Sequence, residues 1–142
     1  MTVAMIAELT KWKLSLAVAF SAVTGYLIFD SSIAGTGLSE STIDTGLIKV
    51  ATGVFFLSAG AAALNQYTER KSDALMKRTA GRPLTSGRMA PPAAMTVAVV
   101  VLLAGIVLLS RGGTWPVLLG VMNVILYNLI YTGLKKKTTL AI

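Results

Sequence analysis

The sequence predicts an all-α fold, a multi-span bundle of transmembrane helices. Composition is the first sign: the 142 residues are 54% hydrophobic and only 13% charged, where soluble domains carry about 25% charged residues. Mean hydropathy, at +0.72, is the second. The third is patterning. The apolar residues gather into four runs, each near the ~20 residues a helix needs to cross a bilayer, and Gly, Pro or charged stretches separate them.

The same composition excludes several functions. Cys and His are both absent, so the chain forms no disulfide and offers no thiolate or imidazole to zinc or haem iron. The net charge is +7, but the basic residues cluster beside the apolar runs. That pattern sets membrane topology and is a poor fit to nucleic-acid binding.

In chain order, residues 1–10 read as a short lead-in at the membrane surface. A first span covers about 12–29. It follows Lys11 and Lys13 and lacks a small-residue cleavage site, so it reads as a span and not as a cleavable signal. Ala17, Ser21 and Gly25 fall at i, i+4 and i+8 and predict a seam for close helix packing. Residues 30–45, with Asp30, Glu40, Asp44 and no basic residue, predict a loop. A second span covers about 46–66; its Ser58–Ala63 core is almost all small, which predicts a helix enclosed by others. Lys49 lies near its far end and can snorkel. A motif stretch, 65–90, continues the helix to about Thr79 before Ala80-Gly81-Arg82-Pro83 breaks it. Pro91 and Pro92 open a third span, about 91–110, whose Val and Leu content suits lipid contact. Arg111-Gly112-Gly113 makes a turn, and a fourth span runs about 115–134 into Lys135–Lys137. Lys11, Lys13, the basic residues of 70–88 and Lys135–Lys137 share one side, which predicts a multi-pass protein with both termini and the motif loop in the cytoplasm.

The motif stretch holds the candidate chemistry. Asn65, Glu69 and Asp73 stand at i, i+4 and i+8, one helix face with about 6 Å of rise per step. Oxygen ligands in such a column suit a hard cation. Arg70, Lys71, Lys77, Arg78, Arg82 and Arg88 crowd the same stretch. Carboxylates mixed with so many cations suggest a metal bridging to an anion, and a diphosphate fits: magnesium usually sits between one or two carboxylates and substrate phosphates. A solvated helix end is the plain alternative, with Glu69 and Asp73 paired to Arg70 and Lys77. A second column, Asn123, Tyr127 and Tyr131, lies on the fourth span and leads to Lys135. Buried polar residues of a span face the bundle interior, so these residues are cavity candidates. Helix–helix hydrogen bonding explains Asn123 and Asn128 equally well.

The stretch Asn65-Gln66-x-x-Glu69-x-x-x-Asp73-x-x-Met76-x-Arg78-Thr79-x-x-Arg82-Pro83-Leu84-x-x-Gly87 resembles the first aspartate-rich motif of the UbiA-type intramembrane prenyltransferases. With Glu in the middle position it is most similar to the protohaem IX farnesyltransferase (haem O synthase) branch. The Leu9-Thr10-Lys11-Trp12 opening resembles the family's first helix start, with Trp12 where Pro is common. Tyr127-x-x-x-Tyr131-Thr132-Gly133-Leu134-Lys135 resembles the family's Y-x-x-x-Y-T-P-L-K, with Gly133 in place of Pro.

The resemblance implies a UbiA-like bundle in which residues 1–142 supply four of nine spans, an N-terminal portion without the family's second aspartate-rich motif. It implies Mg2+-dependent transfer of farnesyl from farnesyl diphosphate to haem B in the inner (cytoplasmic) membrane, with haem A synthase as the downstream partner and no nucleic acid. Asn65, Glu69 and Asp73 become the catalytic metal ligands, and Lys77, Arg78 and Arg82 the diphosphate binders. Asn123, Tyr127 and Tyr131 line the cavity, where an aromatic face can stabilise an allylic cation. Residues 1–142 alone are expected to be inactive. The alternatives are a prenyltransferase acting on a quinone precursor and a non-catalytic membrane interaction module. A four-span transporter fits worse, because no span is broken at mid-membrane.

Overall fold

A computed structural model describes the backbone of residues 2–34 and 40–131, and side chains within 2–28 and 45–128. The described residues form helices joined by turns, without strands. The helices are α1 (Val3–Thr10), α2 (Trp12–Ala34), α3 (Glu40–Asp73), α4 (Pro91–Ser110) and α5 (Thr114–Ile125), and a π-helical segment, Leu126–Tyr131, continues α5. The region read as a loop, 30–45, is largely helix, because α2 runs to Ala34 and α3 starts at Glu40. Lys135–Lys137 lie outside the described residues.

Two helical stretches, Thr45–Asp73 and Pro91–Ser110, are long and apolar enough to cross a membrane. The apolar parts of the other two candidates are shorter, Trp12–Ile28 and Thr114–Asn128. Backbone groups in hydrocarbon must be paired within the segment, and a helix does this at every residue. Helix α4 shows the logic. Its Val-rich sequence has modest helix propensity in water, yet it forms twenty helical residues, Pro91–Ser110. Pro91 and Pro92 occupy the first positions, where a missing N–H costs nothing. The helix stops at a turn in which Gly112 N–H donates to the Leu109 carbonyl at 2.9 Å. Gly113 follows with φ 113°, a conformation that glycine alone adopts readily.

The core is the α3–α4 pair, and α1, α2 and α5 also lean on α3. The small residues of α3 do the work expected of them: Ala59, Ala61, Ala62 and Ala63 are buried, and the two backbones nearly touch. A Cβ added at Gly60 would lie 2.8 Å from the Leu102 backbone nitrogen, and one at Gly105 would lie 2.6 Å from that of Leu57. Such approach supplies the dispersion contact that replaces hydrophobic driving force in lipid. The opposite face of α4, with Val99, Val100, Leu103 and Val107, is exposed.

Helix α2 differs from expectation. Ala17, Ser21 and Gly25 are exposed, and a Cβ at Gly25 would meet nothing within 4 Å. Ser15 and Ala19 are the buried stripe. The rotation is set at the helix start: Lys11 adopts the left-handed conformation, φ 47° and ψ 51°, and Ser15 Oγ donates to the Thr10 carbonyl at 3.1 Å.

The lead-in also differs. It is a packed helix. Leu9 of α1 is fully buried in one cluster with Ala63, Leu84, Met89, Ala94 and Ala98. Gln66 ties it down: its Nε2 donates to the carbonyls of Glu8, at 3.0 Å, and Leu9, at 2.9 Å. Both carbonyls lie in the last turn of α1, where the helix ladder runs out; the Glu8 carbonyl also accepts the Lys11 N–H at 3.4 Å, so one amide on α3 completes the cap of α1 from another element.

Candidate functional site

The site forms where α3 ends. Asn65, Glu69 and Asp73 lie on one face of its last turns, and all three are buried, at 6%, 7% and 6% exposure. Asn65 Nδ2 donates to Glu69 Oε2 at 3.1 Å. That bond turns the amide nitrogen toward the carboxylate; the amide oxygen is the atom of this side chain whose chemistry suits a cation. Asp73 is held by Arg82, whose Nη1 bonds to Oδ2.

Helix α3 ends at Asp73 and not at Thr79, for a reason visible at that residue. The Asp73 carbonyl accepts the Met76 N–H at 3.3 Å and the Thr79 hydroxyl at 2.8 Å. The ladder tightens into turns, and the chain folds back so that Arg82 meets the Asp73 side chain. Lys77 therefore does not continue the carboxylate column; it is exposed on the loop, as is Arg78. Of the three basic residues assigned to diphosphate, Arg82 alone is in contact with the column.

The loop 74–90 is held by buried side chains and by its own hydrogen bonds. Thr79, Pro83, Leu84 and Met89 are buried. Thr85 Oγ1 donates to the Thr79 carbonyl at 2.8 Å and the Arg82 carbonyl at 3.1 Å. Arg88 reaches the Gly81 carbonyl at 2.5 Å and the Glu8 carboxylate at 3.3 Å, which fastens the loop to α1. The Thr, Pro and Leu of the motif thus anchor the loop in the core.

The pairs that a solvated helix end would form are not the ones present. Arg70 lies over the Tyr67 ring at 4.2 Å and donates to the Tyr67 carbonyl at 2.7 Å. Asp73 pairs with Arg82 and not with Lys77.

On α5 and its continuation, Asn123 is exposed and Tyr127 half-buried. The Tyr131 side chain lies outside the described residues. Asn128 is the buried polar residue there, 8% exposed, and its Nδ2 donates to the Val124 carbonyl at 3.2 Å. The π-helical segment pulls the register away from α-helical spacing over Leu126–Tyr131, and such segments are frequent at functional sites.

Among the described residues no three His, Cys, Asp or Glu side chains are grouped to cage a metal. The donor set is two carboxylates and one amide oxygen. That set fits magnesium, which takes one or two carboxylates and fills its octahedron with water and phosphate oxygens. It does not fit an ion that needs a full protein cage.

Comparison with known proteins identifies the family. The protein named protoheme IX farnesyltransferase from Christiangramia forsetii is 38% identical over 136 residues, which is 95% of this chain and 42% of the relative. The Geobacter sulfurreducens protein of that name is 38% identical over 112 residues, 79% of this chain and 42% of the relative. The one from Nitratidesulfovibrio vulgaris is 34% identical over 142 residues, 99% of this chain and 46% of the relative. The chain thus spans less than half the length of these relatives. No solved structure matches it. Residues 18–142 match the UbiA prenyltransferase family, and with the buried Asn65-Glu69-Asp73 face at the end of an apolar helix this chain belongs to that family, a family of membrane proteins.

Proposed function

We propose that residues 1–142 hold the diphosphate of a prenyl donor in a transferase that moves a farnesyl group from farnesyl diphosphate to protohaem. The reading rests foremost on one observation: two carboxylates and an amide, each more than nine-tenths buried, share a helix face with an arginine at its lower end. The names of the relatives supply the acceptor and the prenyl length.

In this reading Glu69, Asp73 and the Asn65 amide oxygen hold magnesium, and Lys77, Arg78 and Arg82 supply donors for the diphosphate oxygens. Magnesium, when bound, neutralises charge that grows on the departing diphosphate. Arg82 offers a planar fork that matches phosphate oxygens. Asn123, Tyr127 and Tyr131 line the acceptor side, and Tyr127 can turn an aromatic face to positive charge at the allylic carbon. The four apolar helical stretches act as four spans. The motif loop faces the cytoplasm, since the Gln66 bonds to α1 place Lys11 and Lys13 at the same end as the basic residues of 70–88.

Binding is the first test. The chain, purified in detergent, should bind inorganic pyrophosphate in a Mg2+-dependent manner. Glu69→Gln or Asp73→Asn removes a charged ligand worth about 1.5–3 kcal/mol, so affinity should drop roughly tenfold to a hundredfold. Undiminished binding in both variants would reject the site, and absence of Mg2+-dependent binding in the wild type is what a non-catalytic membrane module predicts. The acceptor is tested by replacing the matching segment of the Geobacter sulfurreducens relative with residues 1–142. The chimera should prenylate haem and not 4-hydroxybenzoate; the opposite preference would favour a quinone precursor.

A further inference from the structure

The Arg82 guanidinium is seated on the Asp73 carboxylate, one of the two carboxylates assigned above to a cation. Asp73 presents a carboxylate whose side chain is only 8% exposed, and the Arg82 side chain above it is 21% exposed. A buried carboxylate without a partner is costly, so the guanidinium satisfies Asp73 while no metal is there. Arginine cannot lose its proton to make way. A divalent ion bound beside a seated guanidinium would set three positive charges against the two carboxylates of Glu69 and Asp73, at close range and largely out of water. We propose that Arg82 is a stand-in cation: a divalent metal displaces its guanidinium from Asp73, and the displaced guanidinium then becomes a donor to the diphosphate. The inference rests on the magnesium–diphosphate reading above and adds an order of events to it.

The geometry confines the exchange to one side chain. The Arg82 backbone is pinned on both flanks. Its N–H donates to the Thr79 carbonyl at 3.1 Å, and its carbonyl accepts the Ser86 N–H at 2.9 Å and the Ser86 hydroxyl at 2.7 Å. Thr79 is 2% exposed, and Pro83 is fully buried. Arg88 clamps the Gly81 carbonyl. The loop need not open. The long side chain is free to swing from Asp73 toward solvent, to which Lys77 and Arg78 of the same loop are already exposed. A metal-bound site would thus arrive with its anion receptor freshly released, which couples metal loading to diphosphate capture.

A permanent structural ion pair and an exchanging one predict opposite signs. Take the purified chain in detergent and titrate it with Mn2+ alone, read by electron paramagnetic resonance, and then with inorganic pyrophosphate in the presence of Mn2+. Arg82→Gln should bind Mn2+ several-fold more tightly than the wild type, because the competitor is gone, and should bind pyrophosphate about tenfold more weakly. Unchanged or weakened Mn2+ affinity in Arg82→Gln, with the wild type binding normally, overturns the exchange and leaves the diphosphate reading standing. Absence of Mn2+ binding in both proteins overturns both. Arginine side-chain 15N resonances of the wild type provide a check that needs no folded variant. The Arg82 Nε signal should shift on Mg2+ addition, before any pyrophosphate is present, and a signal unmoved at saturating Mg2+ defeats the proposal.

Discussion

At the scale of the residue, Gln66 shows how one side chain can fix an element. Its amide nitrogen serves the Glu8 and Leu9 carbonyls, while its Oε1 is buried without a hydrogen-bond partner. The two ends of the amide therefore act in opposite directions, and this ranks substitutions. Gln66→Met keeps the volume, strands the Leu9 carbonyl, leaves the Glu8 carbonyl with the Lys11 N–H alone and removes one orphan oxygen; the net cost should sit near the low end of the ~1–3 kcal/mol for an unmade buried hydrogen bond. Gln66→Glu puts a carboxylate against the same two carbonyls, with no donor among the three, and should cost clearly more. Tryptic cleavage after Lys11, at the α1–α2 junction, should speed up in that order: wild type, Met, Glu. Equal rates in the three proteins would show that α1 is held by Leu9 packing alone. Gln66 stood in the sequence motif beside Asn65 without a role, and no local signal could have given it one, because its partners lie 57 and 58 positions away.

At the scale of the element, punctuation made some helices legible. Helix α4 has the bounds read from sequence, Pro91–Ser110, because prolines open it and a Gly-Gly turn closes it, both local effects. Helix α3 was readable through its apolar length and its ligand face, but its end was not. That end depends on Thr79 and Arg82 folding back onto Asp73, which is tertiary. The seam of α2 failed for a similar reason: Ala17, Ser21 and Gly25 have the right spacing, but the Lys11 kink rotates Ser15 and Ala19 inward instead. Helix pairing offers a direct check. Gly105→Val would drive side-chain atoms into the Leu57 backbone, where a single added carbon already falls 2.6 Å from its nitrogen, and two packed helices cannot separate without breaking the contacts that join them. A loss of about 1–3 kcal/mol, the usual range for overpacking, should appear in thermal unfolding in detergent. Gly25→Ala, with open space around its Cβ, should leave stability unchanged or raise it. Equal effects would mean that the α3–α4 contact is not the tight one.

At the scale of the whole molecule, charge and packing divide the described residues into two ends. Gln66 and the Arg88–Glu8 pair bring α1, the start of α2 and the motif loop together. At the other end Gly53 packs against Leu109, so Lys49 and Arg111 are near neighbours along the helix axes. The basic residues therefore split unevenly, with Lys11, Lys13, Arg70, Lys71, Lys77, Arg78, Arg82 and Arg88 at the site end and Lys49 and Arg111 opposite. By the positive-inside rule an excess of that size predicts that the basic end faces the cytoplasm, which is also where a soluble diphosphate would be met. The absence of native Cys makes the orientation measurable without background. Ser86, on the loop, and Ser110, at the far end of α4, are both exposed. A membrane-impermeant maleimide added to intact spheroplasts should label Ser110→Cys and spare Ser86→Cys; in inverted vesicles the labelling should exchange. The reverse pattern would place the carboxylate face on the outer side, away from any cytoplasmic prenyl diphosphate, and the transfer reaction would then need a donor delivered from the other side of the membrane.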